Sequence, residues 1–331
     1  MGDTDFAARR AIVLNTGTAP AVPPVEGLRD TPFWTNREAL TAERAPLSLA
    51  VLGGGAIGVE LGQAFARFGT RVTIVEAGPS LLGVEEPEAQ AIVTRACAED
   101  GIDVRTGARV TEVTWDGQEF TLHLPDETVR ADRLLVSTGR RTNLGGLGLD
   151  TVGLDPGARF LDPDGRMRVA DGIYAVGDIT GRGQFTHVSM YQADIAARDI
   201  LGIDGPEAEY HAIPHVTFTD PEVGSVGLTE AQAREQGLAV RTSTTQVPES
   251  SRGWIHEVGN AGVIKLVADT ERDVLVGATS VGPWGGEVLS ALAVAVHART
   301  PVATLRHLPF AFPTFHRAIG DALERLGTDS A

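Results

Sequence analysis

The chain has 331 residues, 42% of them hydrophobic, which is enough for two or three domains that each have a core. Acidic residues outnumber basic ones by 44 to 28, and the net charge of -16 argues against binding to nucleic acid or to anionic membranes. Cys97 is the single cysteine, so these residues cannot form an internal disulfide, a CxxC redox pair or a cysteine-rich metal site. With no signal-type leader and no apolar run of membrane-spanning length, we expect a cytoplasmic protein.

The first half of the chain alternates strand and helix patterns. An apolar strand in Arg10–Thr18 ends on Thr-Gly, and Arg133–Arg140 repeats that form. Between them lie a strand at Leu49–Leu52, a glycine turn, a helix at Ile57–Phe68, a second strand, and a helix at about Glu86–Asp100. This order predicts a right-handed βαβ unit with a parallel sheet. The segments GIDVRTGARVTEVTW and FTLHLP predict antiparallel strands that form a small meander.

The second half has two further patterns. A segment rich in Gly, Pro and Asp follows Asn143 and predicts a loop, before a buried strand in GIYAVGDITG and a helix in MYQADIAARDILG. From about Tyr210 the pattern is α+β: two strands, a helix with Thr229 as its N-cap, a hairpin, an apolar helix and an amphipathic terminal helix.

The strongest chemical signal is the sequence G-x-G-x-x-G formed by Gly53, Gly55 and Gly58, directly after a strand and at the start of a helix. Gly53 permits the tight turn, Gly55 lets the backbone approach a pyrophosphate, and Gly58 lets the helix pack closely on the strand. The helix N-terminus offers free N–H groups to the phosphates. Glu76 ends the second strand, where a carboxylate can accept hydrogen bonds from the ribose hydroxyls and repels a 2′-phosphate. The pattern therefore predicts an NAD(H) site, and the alternative is a turn that only packs well.

Two acidic residues each allow a structural and a functional interpretation. Glu60 lies in the first part of the helix, where a carboxylate can simply interact with the helix dipole or can lie near a nicotinamide. Asp178 follows an apolar strand, at the edge where open α/β sheets bind ligands, but it can equally cap the next turn.

Ordered motifs along the chain resemble one enzyme family. They are VLGGGAIGVELGQAFARFG, VTIVEAG, LLVSTGRRTN, GIYAVGDITGRGQFTHVSMYQADIAARDILG and PHVTFTDPEVGSVGLTEAQAREQG. Together they are similar to the pyridine nucleotide–disulfide oxidoreductases, the group that includes dihydrolipoamide dehydrogenase, mercuric reductase and glutathione reductase. The resemblance implies an α/β chain in which a Rossmann-like NAD domain (47–143) is inserted in an incomplete FAD domain (1–46 and 144–209). An α+β domain (210–331) would follow and form a homodimer.

The resemblance also implies roles for individual residues. Those implied for NAD are Gly53, Gly55, Ala56, Ile57, Gly58, Glu60, Glu76, Val110 near the adenine and Gly139 near the nicotinamide. Those implied for FAD are Thr16, Gly17, Thr18, Asp178, Gln184, Phe185, Thr186 and His187, with Asn15 where the family has Ala. Asp178 would bond the ribityl chain of the flavin, and Glu60 would lie near the contact between flavin and nicotinamide.

The chain departs from the family in three ways. The family's FAD fingerprint precedes the NAD motif, and no such βαβ unit occurs in these residues. The redox-active Cys-x4-Cys pair belongs to the same segment, and we expect Cys97 to be a small packed core residue. In FAFPTFHRA, Phe312 replaces the His that acts as catalytic base, and Arg317 replaces its Glu partner. His316 and Glu60 remain as lesser catalytic candidates.

Two functions are compatible with these observations. The first is an FAD-dependent NAD(P)H oxidoreductase that prefers NADH and passes electrons through flavin to a small acceptor other than a disulfide, such as a quinone, a dye-like molecule or oxygen. The alternative is an N-terminally truncated or non-catalytic module that dimerises and binds NAD without FAD. A third interpretation, a free-standing Rossmann dehydrogenase, leaves the Thr-Gly and Gly-Asp motifs unexplained. No metal site is predicted, because His211 and His215 are separated by a Pro and do not share a helix face.

Overall fold

The computed structural model describes residues 7–327, which form two compact units. Unit 1 contains residues 7–19 and 140–213, and unit 2 contains residues 20–139 and 214–327. The strands are β1 (Ile12–Leu14), β2 (Thr18–Pro20), β3 (Ser48–Leu52), β4 (Arg71–Val75), β5 (Asp103–Arg105), β6 (Glu112–Trp115), β7 (Phe120–His123), β8 (Thr128–Ala131), β9 (Arg133–Val136), β10 (Arg140–Thr142), β11 (Arg168–Ala170), β12 (Ile173–Ala175), β13 (Pro214–Thr217), β14 (Glu222–Gly227), β15 (Val240–Gln246), β16 (Val263–Asp269) and β17 (Val274–Gly282). The α-helices are α1 (Asn36–Leu40), α2 (Ala56–Arg67), α3 (Pro87–Glu99), α4 (Thr186–Leu201), α5 (Glu230–Glu235), α6 (Ser251–His256), α7 (Gly285–His297), α8 (Val302–Arg306) and α9 (Arg317–Leu326).

The first part of unit 2 (residues 20–139), which we call the dinucleotide-type fold, is built on a parallel sheet with the strand order β5-β4-β3-β9. All five residues of β3 are buried, because the strand has neighbours on both edges and its apolar run is covered on both faces. The βαβ prediction is confirmed. One strand was predicted wrongly: β5, in GIDVR, pairs in parallel with β4 and does not join the antiparallel meander. The predicted meander consists of β6, β7 and β8.

The second part of unit 2 is an antiparallel sheet with the order β13-β14-β17-β16-β15. Side chains alternate between its two faces. Val223, Val263 and Val281 belong to the same core as the apolar residues of β3 and β4, so this face packs on the dinucleotide-type fold. The other face is covered by helices; Ser243, for example, donates a hydrogen bond to the carbonyl of Ala322 in α9. The predicted N-cap of α5 is confirmed, since Thr229 forms a capping box with Gln232.

Unit 1 is smaller and has a sheet with the order β1-β12-β11. The predicted buried strand is β12, and the predicted helix is α4, which begins at Thr186, earlier than the apolar pattern indicated. Strand β1 pairs in parallel with β12 along one edge, and its residues Ile12 and Val13 are 47% and 46% exposed. Among residues 7–327, no helix combines the length and the apolar character needed to cross a bilayer.

Candidate functional site

The glycine turn lies between β3 and α2, at the carboxyl end of the parallel sheet. Gly53 has a φ of +110°, and a Cβ there would lie 2.6 Å from the carbonyl oxygen of Ser137. A Cβ on Gly58 would collide with the carbonyl oxygen of Gly53. Gly55 is different, because nothing lies within 4 Å of the position its Cβ would take. Packing therefore requires glycine at the first and third positions, whereas the second leaves open space beside the backbone.

The start of α2 borders that open space. Gly55 is the N-cap of the helix, and no side chain caps it. The first N–H groups of an α-helix have no partner within the helix, and its N-terminus carries a partial positive charge. Exposed N–H groups beside an open glycine backbone fit a phosphate group. The residues Ala56 and Ile57 contribute to this turn through their backbone.

Glu76 lies directly after β4 and reaches the glycine turn. Its Oε2 accepts a hydrogen bond of 2.6 Å from the backbone N–H of Gly54, and its Oε1 accepts one of 2.5 Å from the N–H of Gly78. Each carboxylate oxygen can accept a further bond. The structure thus brings Glu76 and the glycine turn to one edge of the sheet, and it holds the carboxylate in place through two backbone amides.

Gly139 and Val110, which are also assigned to NAD, have different surroundings. Gly139 follows β9, has a φ of +125°, and has nothing within 4 Å of its Cβ position. It lies at the same carboxyl edge as the glycine turn, because β9 pairs in parallel with β3. Val110 is 6% exposed, and its side chain belongs to the core with Phe120 and Leu122. Any contact of Val110 with a ligand would therefore involve its backbone.

Glu60 has a partner that the sequence did not reveal. Its Oε1 accepts a 2.8 Å hydrogen bond from the backbone N–H of Phe218, in the segment between β13 and β14. Burial raises the pKa of Glu60, and the hydrogen bond from Phe218 partly opposes that increase. The phenyl ring of Phe218 is 70% exposed. Glu60 is therefore a partly buried carboxyl that connects α2 to the antiparallel sheet.

A second polar cluster in unit 2 was missed by sequence reasoning. Lys265 in β16 is buried, and its Nζ lies 2.9 Å from Glu86, 2.9 Å from Glu88 and 3.0 Å from Glu230. Burial alone would lower the pKa of Lys265, but these carboxylates raise it above its usual range. The one available signal was a lysine inside the apolar strand sequence VIKLVA. The cluster joins the start of α3 to the antiparallel sheet.

In unit 1, the residues assigned to FAD centre on Asp178. The hydroxyl of Thr18 donates a 2.6 Å hydrogen bond to Asp178 Oδ2. Arg140 donates to Thr18 Oγ1 at 2.5 Å, and its Nε lies 3.8 Å from Asp178. The carboxylate of Asp178 thus bonds a residue 160 positions away, which the turn-capping interpretation did not anticipate. Arg140 is a member of this cluster that sequence reasoning missed.

The segment Gln184–His187 lies at the start of α4. Gln184, Thr186 and His187 are exposed, and the ring of Phe185 stacks on that of His187 with centroids 5.2 Å apart. The remaining assigned residues, Thr16 and Gly17, precede β2, and the carbonyl of Thr16 accepts a bond from Asn143. These groups can contact part of a flavin nucleotide. A pyrophosphate-binding turn is not among them, since the one G-x-G-x-x-G of these residues lies in unit 2.

The remaining candidates are Cys97, Phe312, Arg317 and His316. Cys97 is fully buried, as predicted, and burial raises its pKa to about 11. Phe312 is 71% exposed. Arg317 donates to Asp321 at 2.6 Å, and His316 is the N-cap residue of α9. Within the part of the chain that the structure describes, no group of His, Cys, Asp and Glu side chains is arranged to hold a metal ion.

Comparison with protein families gives two matches. The model described as "Pyridine nucleotide-disulphide oxidoreductase" matches residues 2–193, and that of its dimerisation domain matches residues 213–323. Mercuric reductase from Shigella flexneri is 38% identical over 336 residues, which cover 99% of this chain and 58% of the relative. Mercuric reductase from Streptomyces lividans is 35% identical, and the alignment covers 100% of this chain and 70% of that relative. The chain spans 54% of the Acidithiobacillus ferrooxidans mercuric reductase, so it corresponds to about half of some relatives.

Solved structures show the same fold. The HOCl-induced flavoprotein disulfide reductase RclA from Escherichia coli has a TM-score of 0.85 and 29% identity, covering 95% of this chain and 73% of that one. LpdA from Mycobacterium tuberculosis has a TM-score of 0.86 and 28% identity, and the superposition covers 96% of this chain and 70% of LpdA. The predicted fold class and the family resemblance are thereby confirmed.

Proposed function

The chain belongs to the pyridine nucleotide–disulphide oxidoreductase family, and we propose that it supplies the NADH-binding and dimerisation parts of a flavoprotein oxidoreductase. The observation that carries this proposal is the arrangement of Gly55, the uncapped start of α2 and Glu76 at one edge of the parallel sheet. We retain the divisions 1–46, 47–143, 144–209 and 210–331 and a cytoplasmic location as parts of the proposal.

The preference for NADH over NADPH rests on Glu76. Its carboxylate is oriented by the N–H groups of Gly54 and Gly78 and keeps acceptor capacity for the ribose hydroxyls. A 2′-phosphate would bring a second negative charge to this carboxylate, and like charges repel strongly at short distance. The pyrophosphate would lie against the backbone at Gly55 and the start of α2.

The second part of the proposal is that the electron acceptor is not a disulfide. Bound nicotinamide and flavin would supply hydride transfer themselves, so the protein has to bind and orient them. Within these residues the only thiol is that of Cys97, which is buried and has a raised pKa. Phe312 stands where the family has its catalytic base, and a phenyl ring cannot move a proton. An acceptor that needs neither group, such as a quinone, fits these residues best.

The proposed partner is a second copy of the chain. The match to the dimerisation domain covers residues 213–323. Within that range, large apolar side chains remain exposed, among them Trp284 (55%), Val294 (67%) and Phe312 (71%). Exposed side chains of this size are typical of a surface that becomes buried on association. A symmetric dimer would bury the same surface on both copies.

The direct test of the enzyme function is reduction of bound flavin. The protein, loaded with FAD, is mixed with NADH in the absence of oxygen, and the absorbance of the flavin at about 450 nm is followed. The proposal predicts bleaching by NADH, faster than by NADPH, followed by reoxidation with a quinone. A flavin-loaded protein that NADH does not bleach would refute the enzyme function.

The alternative function is an NADH-binding, dimerising module that holds no FAD. The exposure of Ile12 and Val13 in β1 favours this alternative, because the residues proposed for FAD that follow β1 come after a strand that is about half exposed. The absorption spectrum of the purified protein separates the two functions. Stoichiometric FAD would exclude the alternative, whereas a colourless protein that binds NADH would support it.

A further inference from the structure

A cleft lies at the amino ends of the parallel strands, at the opposite end of the sheet from the glycine turn. Its volume is about 530 Å³, and its lining includes Leu47, Asp132 and Arg133, which stand at the amino ends of β3 and β9. The glycine turn follows the carboxyl end of β3, so the length of the strand, roughly 16 Å for five residues, separates the two places. This volume lies within the range of sites for small molecules, roughly 300–1,000 Å³. The cleft is therefore distinct from the proposed dinucleotide site.

Two indole rings line the cleft. They belong to Trp34 and Trp115, two of the four tryptophans in the chain. Both rings have packing partners: the ring of Trp34 lies against that of Phe65 with centroids 6.1 Å apart, and the ring of Trp115 packs on Phe120 with centroids 4.4 Å apart. Both indoles are partly exposed. Large, fixed aromatic rings of this kind provide stacking surfaces for a planar ligand.

The charged groups in the cleft favour an anion. The guanidinium of Arg133 lies over the ring of Trp34, with its carbon 5.9 Å from the ring centroid. Arg44 is exposed and has no ion pair with any residue of the range 7–327. Asp132 is the one carboxylate of the lining: its Oδ2 accepts a 3.0 Å bond from the N–H of Ser48, and its carbonyl accepts a 2.7 Å bond from Arg133, which leaves further N–H donors on that guanidinium. Guanidinium groups bind carboxylates, sulfonates and phosphates through paired N–H donors.

We propose that this cleft binds a planar aromatic anion, with its ring against Trp34 or Trp115 and its acidic group on Arg44 and Arg133. The site would work independently of the dinucleotide site and of the proposed redox function. Its lining has two arginines and one carboxylate, whereas acidic residues outnumber basic ones in the whole chain by 44 to 28.

The test uses naphthalene-2-sulfonate as the probe and isothermal titration calorimetry as the readout. We expect the wild-type protein to bind one molecule per chain, and methanesulfonate and 2-naphthylmethylammonium, which lack the ring or the negative charge, not to bind. Arg44→Gln should weaken binding about tenfold, the loss of one charge-assisted hydrogen-bonded contact. Arg252→Gln is the control for the loss of an arginine charge elsewhere, because Arg252 lies outside the cleft, with its guanidinium carbon 5.8 Å from the ring centroid of Phe315.

Three results would overturn the proposal. They are the absence of binding to the wild type, equal affinity of the Arg44→Gln and Arg252→Gln variants, and a loss of binding in Glu76→Ala, which would assign the probe to the dinucleotide site. Because Arg44 is exposed and unpaired, its substitution should leave the fold intact, and the thermal unfolding midpoint verifies this. Tryptophan fluorescence offers a second readout: one of the variants Trp34→Phe and Trp115→Phe should lose most of the quenching that the probe causes, whereas Trp254→Phe should not.

Discussion

Strand β3 of unit 2 precedes the glycine turn proposed for NAD, and strand β1 of unit 1 precedes the first residues proposed for FAD. The two strands have different surroundings. β3 is central in its sheet, and each of its residues is buried. β1 is an edge strand with Ile12 and Val13 about half exposed. A parallel strand is normally covered on both faces, and only β3 meets that condition. The comparison shows that the residues proposed for NAD follow a fully buried strand, whereas the residues proposed for FAD follow a strand that is about half exposed.

The largest expected effect concerns the interior of unit 2. Lys265→Met should lower the free energy of unfolding by about 3–5 kcal/mol, because it leaves the buried carboxylate of Glu86 without its cation. Urea denaturation measures the change. The control is Arg130→Gln, which breaks an exposed ion pair with Glu119 and should cost less than about 1 kcal/mol. Equal stability of the two variants would mean that the contact between α3 and the antiparallel sheet does not stabilise the dinucleotide-type fold.

A smaller effect is expected on cofactor choice. Glu76→Ala should weaken NADH binding roughly tenfold or more, because a hydrogen bond to a charged group contributes about 1.5–3 kcal/mol. The same change should improve NADPH binding, since it removes the charge that repels a 2′-phosphate. Fluorescence titration with each cofactor measures both affinities, with Glu119→Ala as an exposed control. If neither affinity changes, the carboxylate does not lie at the ribose.

The smallest effect is expected in unit 1 and depends on pH. Hydrogen bonds from Arg168 and Tyr174 lower the pKa of Asp199 to about 2. A carboxyl whose pKa is depressed on folding contributes stability above its unfolded pKa and loses that contribution as the pH falls through the folded value. The melting temperature of the wild type should therefore decrease as the pH is lowered from about 4, near the unfolded pKa of an aspartate, to about 2, the folded pKa of Asp199. Asp199→Asn should be less stable at neutral pH and less sensitive over that interval, and an unchanged pH profile would contradict this role.

The sequence predicted features that depend on local pattern. The glycine turn, its position between β3 and α2, the Thr229 cap and the burial of Cys97 are all present. These features follow from backbone geometry and apolar spacing within a few residues, so they can be recognised without knowing the fold. The family resemblance then placed Asp178 among the residues that merited attention.

Contacts between distant parts of the chain could not be predicted in this way. Lys265 pairs with Glu86 across 179 positions, and Phe218 donates to Glu60 across 158. The parallel pairing of β5 has the same cause, since three residues carry too weak a pattern to indicate which neighbour they will join. Such contacts arise when two faces pack, and the apolar pattern defines the faces without specifying which polar groups meet.

The most direct test of the central claim is the NADH affinity of Gly55→Val, measured beside Gly83→Val. Both glycines have free space around their Cβ positions, but Gly55 is the N-cap of α2, whereas Gly83 lies in the segment between β4 and α3. Valine at the helix N-cap should cost at most about 1–2 kcal/mol of stability, which urea denaturation verifies. The account predicts that Gly55→Val folds and loses NADH binding, while Gly83→Val binds NADH like the wild type. A folded Gly55→Val variant with wild-type NADH affinity would contradict it.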